Sequence, residues 1–386
     1  MRKNAIAILI SFVLCTIGSV TAFAENTPLN IQAKSAILME QSTGKILYEQ
    51  DAHIKLAPAS VTKVMTILLI YEAVEQGKIS WDDMVTVSAN AAGMGGSQIF
   101  LAENEQQSVR DLTKSIVIAS ANDAAVAMGE FISGNMESFA TLMNERAASL
   151  GMANTNFVNA CGLDDPNHYT TAYDIALMSR ELMVNHPQVK EFTTVWMDTI
   201  THRTARGEEE FGLTNTNRLL RWYDGITGLK TGSTGEALYC LAGTATRDNM
   251  GLVAVVLAAP SPDLRFLETA RLLDHGFANY AVVSGEPAST EVGTVRIFKG
   301  EQEEVAVAVR TDVAVVVPKN AVSELQREVR MVDALYAPIQ QGAKAGEVIY
   351  SFNGEEVGRS VLVVTQNVER AGIGTMMQRI LSRWFQ

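Results

Sequence analysis

Between Ala36 and Ala259 the longer strand-like runs stand at the two ends, with helical patterns between them, and this restricts the fold more than any other feature. Residues 36–40 and 45–49 flank Gln41-Ser42-Thr43-Gly44 and read as a β-hairpin with glycine at the turn. Helical periodicity follows at 60–76, 111–118, 122–132 and 174–184. Strand signals return near Lys230 and continue as apolar runs at 237–245 and 251–259, around the turn Arg247-Asp248-Asn249. A lone hairpin is marginal in water, so the opening strands need partners from the far end of the segment. The expectation is one sheet whose strands come from distant parts of the chain, an α/β or α+β domain.

After Tyr280 the texture changes. Ser284-Gly285-Glu286-Pro287 reads as a linker, and short valine-rich runs follow at 292–298, 305–309, 313–317, 348–352 and 360–364. Their spacing predicts a small all-β, sandwich-like module. At the other end, Arg2 and Lys3 precede an apolar stretch over 5–20 that closes on Ala22-Phe23-Ala24, the pattern of a cleaved secretory signal. The apolar core is too short for a membrane span, and the bulky Leu14 argues against lipid attachment at Cys15. The expected organisation is a signal peptide at 1–24, a first domain at 25–283, a β-rich domain at 284–368 and a terminal helix at 369–386.

Several function classes drop out on composition. The formal charge of −12, more acidic still once Arg2 and Lys3 leave, speaks against nucleic acid as a partner. The five histidines show no metal-ligand spacing, and Gly93-Met94-Gly95-Gly96 lacks the lysine of a phosphate loop. No cofactor or metal is expected. Cys161 and Cys240 read as buried thiols, although an exported chain allows them to pair.

The chemistry centres on Pro58-Ala59-Ser60-Val61-Thr62-Lys63. On a helix beginning near Ser60, residues three apart share a face, so the amine of Lys63 comes within reach of the Ser60 hydroxyl. A serine is a weak nucleophile until a base takes its proton, and a lysine serves once burial or positive neighbours lower its pKa. The bland alternative is a capping serine beside a solvated lysine. Ser42 and Lys45 have the same spacing but fall on the hairpin turn, which offers no helix face. Lys230-Thr231-Gly232 occurs once, before strand-like residues; it would supply a fixed charge, a hydroxyl for a carboxylate, and room for a ligand against the backbone. Of the three Ser-x-Asn sequences, Ser133 sits at a helix end with Gly134 and Asn135 as caps, and Ser88 closes a strand-like run. Ser120-Ala121-Asn122 lies between two helices, where a tight loop aims both side chains inward.

Ser-x-x-Lys, Ser-x-Asn and Lys-Thr-Gly, in that order, form the motif set of serine β-lactamases and penicillin-binding proteins. With Gly162-Leu163-Asp164 and Gly228-Leu229 added, the chain resembles the low-molecular-mass penicillin-binding proteins, serine-type D-alanyl-D-alanine carboxypeptidases. The resemblance implies a DD-peptidase-like transpeptidase domain that removes the terminal D-alanine of peptidoglycan stem peptides, with β-lactams as covalent inhibitors. It implies Ser60 as acylated nucleophile, Lys63 as general base, Ser120 as proton relay and Asn122 as holder of the substrate amide. Lys230 and Thr231 would bind the terminal carboxylate, with Gly232 beside them, and the N–H groups of Ser60 and Ser233 would form the oxyanion hole. Where some relatives carry an upstream arginine for the carboxylate, Asn215-Thr216-Asn217-Arg218 offers Arg218, slightly displaced.

Two other readings stay open. A β-lactamase needs a further glutamate to activate water, and Glu181 in Glu181-Leu182-Met183-Val184-Asn185 is the candidate. A catalytically silent wall-binding protein would keep the scaffold without the reaction. Finally, Ile373, Met376, Met377, Ile380, Leu381, Trp384 and Phe385 form an apolar stripe at helical period, with Arg370, Arg379 and Arg383 at other positions. Such a helix lies in a membrane interface, here the outer face of the cytoplasmic membrane, each side chain contributing up to roughly 1.5–3 kcal/mol if fully buried. The alternative is packing on the β module or on a second copy.

Overall fold

A computed structural model describes residues 29–204 and 207–384. The segment read as a signal peptide and the last apolar residue of the stripe, Phe385, lie outside the described residues.

The opening hairpin, β1 (Ser35–Glu40) and β2 (Ile46–Gln50), turns through Gly44 at φ +74°, and Glu40 closes the turn by accepting from the N–H groups of Ser42 and Thr43. Its partners are late strands: β3 (Ile226–Thr234), β4 (Leu238–Arg247) and β5 (Met250–Ala259). The sheet runs β2-β1-β5-β4-β3 with every pair antiparallel, so β3 is an edge strand. The expected joining of distant strands is realised at the β1–β5 pair, where Ser35 to Glu40 lie opposite Leu257 to Leu252.

Both faces of the sheet are covered, which is why β1 and β5 read as unbroken apolar runs. Ile37, Met39, Val253 and Val255 point into the larger core. Leu38 and Leu252 point the other way, against Gly276 of helix α6 (Pro262–Asn279). The larger core is built by α1 (Lys63–Glu75), α2 (Val109–Ile118), α3 (Asn122–Ser133), α4 (Met136–Ser149) and α5 (Ala172–Asn185). Helix α1 is buried almost all round, as befits a central helix. Capping follows the sequence reading: Gly134 ends α3 in the left-handed region, and Asn135 caps α4 by accepting from Ser138 N. One boundary differs. A 3-10 turn, Ala59–Thr62, precedes α1, so Ser60 sits in the turn and Lys63 opens the helix.

Beyond the sheet domain, Tyr280–Ser284 is a strand paired with Ala314–Pro318, and Gly285 N donates to Val313 O; the stretch read as a linker begins in paired backbone. A six-stranded sheet follows in the order Gln326–Met331, Lys344–Phe352, Glu355–Val364, Glu304–Val309, Glu291–Phe298, Ala334–Tyr336. It has its own core, including Val295, Val307, Val348 and Leu362.

The terminal helix α7 (Ile373–Trp384) leaves Ile373, Met377, Ile380, Leu381 and Trp384 exposed. Arg379 is not part of a free basic face. Its guanidinium donates to Gly300 O and Glu301 O at 2.7 and 2.6 Å and meets Glu303 at 3.1 Å, clasping α7 to the β module.

Candidate active site

The site assembles where four segments meet at the start of α1. Lys63 is fully buried, and its Nζ donates to Ser60 Oγ at 2.9 Å, Asn122 Oδ1 at 2.6 Å and Cys161 O at 2.8 Å. These acceptors satisfy all three ammonium protons. Burial pushes the Lys63 pKa down to about 8, against the opposing influence of Cys161 and Asp123. A lysine in that range exchanges its proton near neutral pH, the property asked of a general base.

The Lys-Thr-Gly strand lies directly against the serine turn. A Cβ built on Gly232 would stand 2.8 Å from Pro58 O and 3.0 Å from the backbone N of both Ser60 and Val61, so only glycine allows β3 this close. Lys230 is buried, with Nζ donating to Thr231 O at 3.1 Å. Its pKa is held well below the ordinary lysine value by burial, then by the charges of Lys63 and Arg265. Thr231 Oγ1 donates to Thr216 Oγ1 at 2.6 Å. Ser233 is exposed at the strand edge.

Ser120 turns the corner between α2 and α3 at φ +62°, and Ala59, just before Ser60, sits at φ +48°. Left-handed backbone at non-glycine residues persists where the surroundings over-determine it, commonly at functional sites. The Ser120 corner is held by Ala121 N donating to Ser115 O and Asn122 N donating to Ser97 O. Asn122 Nδ2 donates to Gly95 O at 2.7 Å. Asp123, fully buried, accepts from Ile99 N and Leu101 N, tying the 95–101 loop to the helix that carries Asn122.

The segment behind the serine is equally tight. Asn159 Oδ1 gathers the N–H groups of Cys161, Gly162 and Leu163, which turns Cys161 O toward Lys63. His168 Nδ1 accepts from Val158 N at 3.1 Å, leaving Nε2–H to donate to Thr62 Oγ1 at 2.8 Å. Burial lowers the His168 pKa to about 4 against the pull of Asp165 and Asp164, so the ring stays neutral.

The structure thus brings together Ser60, Lys63, Asn122, Lys230, Thr231 and Gly232, with Ser120 at the adjoining corner. Arg218 is exposed and reaches Asp263 at 3.4 Å from its 3-10 turn (Arg218–Arg221), with its charge near enough to Arg265 to lower that group's pKa. The guanidinium on the Lys-Thr-Gly backbone is that of Arg265, from α6, donating to Gly232 O at 3.1 Å. Neither Arg265 nor Asn159, Asp123 or His168 was singled out in sequence, since nothing local distinguishes a partnered buried polar group from a solvated one. The decoys are accounted for: Lys45 bonds Val316 O, Ser88 caps a short helix, and Cys161 and Cys240 are free buried thiols. Glu181 accepts from Arg146 and Asn185, and Arg146 also holds Glu72, nine residues along α1 and roughly 13 Å beyond Lys63. It is an ion-pair residue remote from the serine.

A family model described as D-alanyl-D-alanine carboxypeptidase matches residues 21–261, and one described as penicillin-binding protein 5, C-terminal domain, matches residues 287–370. The chain is 38% identical over 390 residues to the D-alanyl-D-alanine carboxypeptidase DacF of Bacillus subtilis, covering 100% of this chain and 99% of the relative. Among solved structures it is similar to penicillin binding protein 5 from Haemophilus influenzae, at 33% identity and a TM-score of 0.79 over 89% of this chain and 99% of the other. Penicillin-Binding Protein D2 from Listeria monocytogenes, in its ampicillin-bound form, is 35% identical with a TM-score of 0.57 over 64% of this chain and 99% of the other.

The closest backbone approach gives a direct test. At Gly162, φ +83°, an added Cβ would stand 1.8 Å from Ala59 O, whereas at Gly151, φ +78°, it would meet nothing within 4 Å. Gly151→Ala should cost about 1 kcal/mol for backbone strain alone. Gly162→Ala should cost about 3 kcal/mol or more and slow acylation of Ser60, as urea unfolding and penicillin labelling would report. Equal losses at the two sites would refute the packing argument.

Proposed function

The chain belongs to the D-alanyl-D-alanine carboxypeptidase family, and from that premise we propose how its residues remove the terminal D-alanine of a peptidoglycan stem peptide. Ser60 Oγ attacks the penultimate D-alanine carbonyl while Lys63 Nζ takes the hydroxyl proton. The tetrahedral oxyanion is held by the N–H groups of Ser60 and Ser233. Ser120 relays a proton to the departing D-alanine amine, the Cα–bound acyl group stays on Ser60 as an ester, and water activated by Lys63 hydrolyses it. Asn122 orients the substrate amide, and the peptide runs along the free edge of β3 as an added strand. Its terminal carboxylate meets Thr231 and the charge at Lys230, with Arg265 alongside.

The observation that carries this reading is the buried Lys63 amine 2.9 Å from Ser60 Oγ, with the Lys-Thr-Gly strand packed on the Ser60 backbone. The same site takes a β-lactam ring as an acylating mimic of the peptide. The β-lactamase reading loses its support because Glu181 is engaged with Arg146 and Asn185. Without a dedicated water-activating carboxylate, the penicilloyl ester should be long-lived.

Export by the 1–24 segment would bring the protein to the peptidoglycan, with residues 25–283 carrying the chemistry and 284–368 acting as a spacer. The exposed side chains of α7 support peripheral attachment to the outer membrane surface of the cytoplasmic bilayer through 369–386. Among the described residues, no helix is long and apolar enough to cross a membrane.

Three outcomes are expected. Intact-mass analysis after penicillin treatment should show a stoichiometric adduct that persists, and Ser60→Ala should show none; rapid turnover would favour a β-lactamase, and an unlabelled wild type the silent reading. The rate of that labelling should rise with pH through about 8 as Lys63 loses its proton, and a flat profile across that range would exclude Lys63 as the base. The full-length protein should float with anionic phospholipid vesicles and a chain ending at Gly372 should not; equal flotation of the two would rule out α7 as the anchor.

A further inference from the structure

The Thr216–Thr231 hydroxyl pair has a consequence for which peptides the site accepts. Thr216 is held firmly in the Asn215-Thr216-Asn217 turn before β3. Its N–H donates to Ile118 O at 3.3 Å, Asn215 Oδ1 accepts from Asn217 N at 2.9 Å, and Asn217 Oδ1 accepts from Leu219 N at 3.2 Å. Asn215 Nδ2 donates to Val195 O at 2.8 Å. Since Ile118 ends α2, two residues before Ser120, this turn joins the Ser120 corner to the Lys-Thr-Gly strand.

Each hydroxyl has one proton and two lone pairs, whereas an ionised carboxylate has acceptors only. Two hydroxyls at 2.6 Å share one of their two protons and leave the other for a third partner. In the structure Thr231 donates to Thr216, which spends the Thr231 proton inward. Thr231 itself can meet a carboxylate only when both hydroxyls rotate, so that Thr216 donates to Thr231 and Thr231 donates outward. Two donors in series also polarise the outer one.

We propose that Thr216 is a positioning residue that directs the Thr231 hydroxyl toward the substrate and so makes the enzyme select peptides ending in a free carboxylate over peptides with a neutral end. The inference rests on the reading of Thr231 as a carboxylate ligand. A C-terminal amide offers both a donor and an acceptor, so it pairs with Thr231 in either orientation and gains nothing from Thr216.

The test compares kcat/KM for one D-Ala-D-Ala peptide in its carboxylate and C-terminal amide forms. Thr216→Val keeps the shape without the hydroxyl, and Thr216→Ser keeps the hydroxyl. A hydrogen bond between neutral groups corresponds to roughly twofold to tenfold, so Thr216→Val should lower the carboxylate-to-amide ratio by about fivefold or more, mainly through KM. Thr216→Ser should stay within about threefold of wild type. An unchanged ratio in Thr216→Val, equal losses on both peptides, or a Thr216→Ser as impaired as Thr216→Val would each overturn the inference. Thr216→Ala supplies a second hydroxyl-free variant if valine unfolds the turn, which thermal unfolding would reveal. A wild type that cleaves neither peptide would remove the carboxypeptidase reading itself, and this inference with it.

Discussion

The site depends on one buried ammonium group. Lys63 Nζ binds acceptors 3, 59 and 98 residues away in sequence: Ser60, Asn122 and Cys161. Burying a cation is costly unless its protons are partnered, so the three segments must arrive together or the charge is left exposed to an apolar interior. The same burial that demands these partners lowers the pKa to about 8. Structural requirement and basicity are two consequences of one desolvation, and the position cannot have one without the other.

Around that charge the backbone is packed closer than side chains permit. Gly232 lets β3 touch the serine turn and Gly162 lets the Cys161 segment touch it from behind. Ala59 and Ser120 hold left-handed conformations at the two corners. Such strain survives because hydrogen bonds from outside pin it: Asn159 gathers three N–H groups, Asp123 ties down the 95–101 loop, and His168 secures Thr62. Catalytic groups held by neighbours of this kind need little reorganisation when charge develops. The charge of Lys63 also depresses the pKa of Lys230, so a carboxylate brought beside Lys230 would stabilise its charge where an uncharged group would not.

Much of this was legible before the structure. The hairpin at Gly44, the late strands and the valine-rich second module each announce themselves by local period and turn chemistry. The three motifs could be told from their decoys by context: Ser42 and Lys45 fall on a turn, and Ser133 on a helix end. The expectations that moved were those about direction. Arg218 looked like a carboxylate ligand from its place upstream of β3, but it reaches Asp263 from its 3-10 turn; Arg379 looked like part of a basic face, but it bonds the carbonyls of Gly300 and Glu301.

Sequence alone determined the opening hairpin, the late strands and four of the helices, the order of the motifs and the chemistry those residue types can perform, because period, turn preference and functional group are local properties. The helix Met136–Ser149 beyond its cap, the helix Pro262–Asn279 and the paired strands Met197–Thr204 and Gly207–Thr214 were not read from it. Tertiary structure decided which polar groups are partnered, how far each pKa moves and which arginine faces the Lys-Thr-Gly strand. Those depend on contacts between separate segments of the chain, such as Arg265 of α6 on Gly232, 33 residues away, and Glu181 on Arg146, 35 residues away, where burial and distance arise only once the chain has closed on itself.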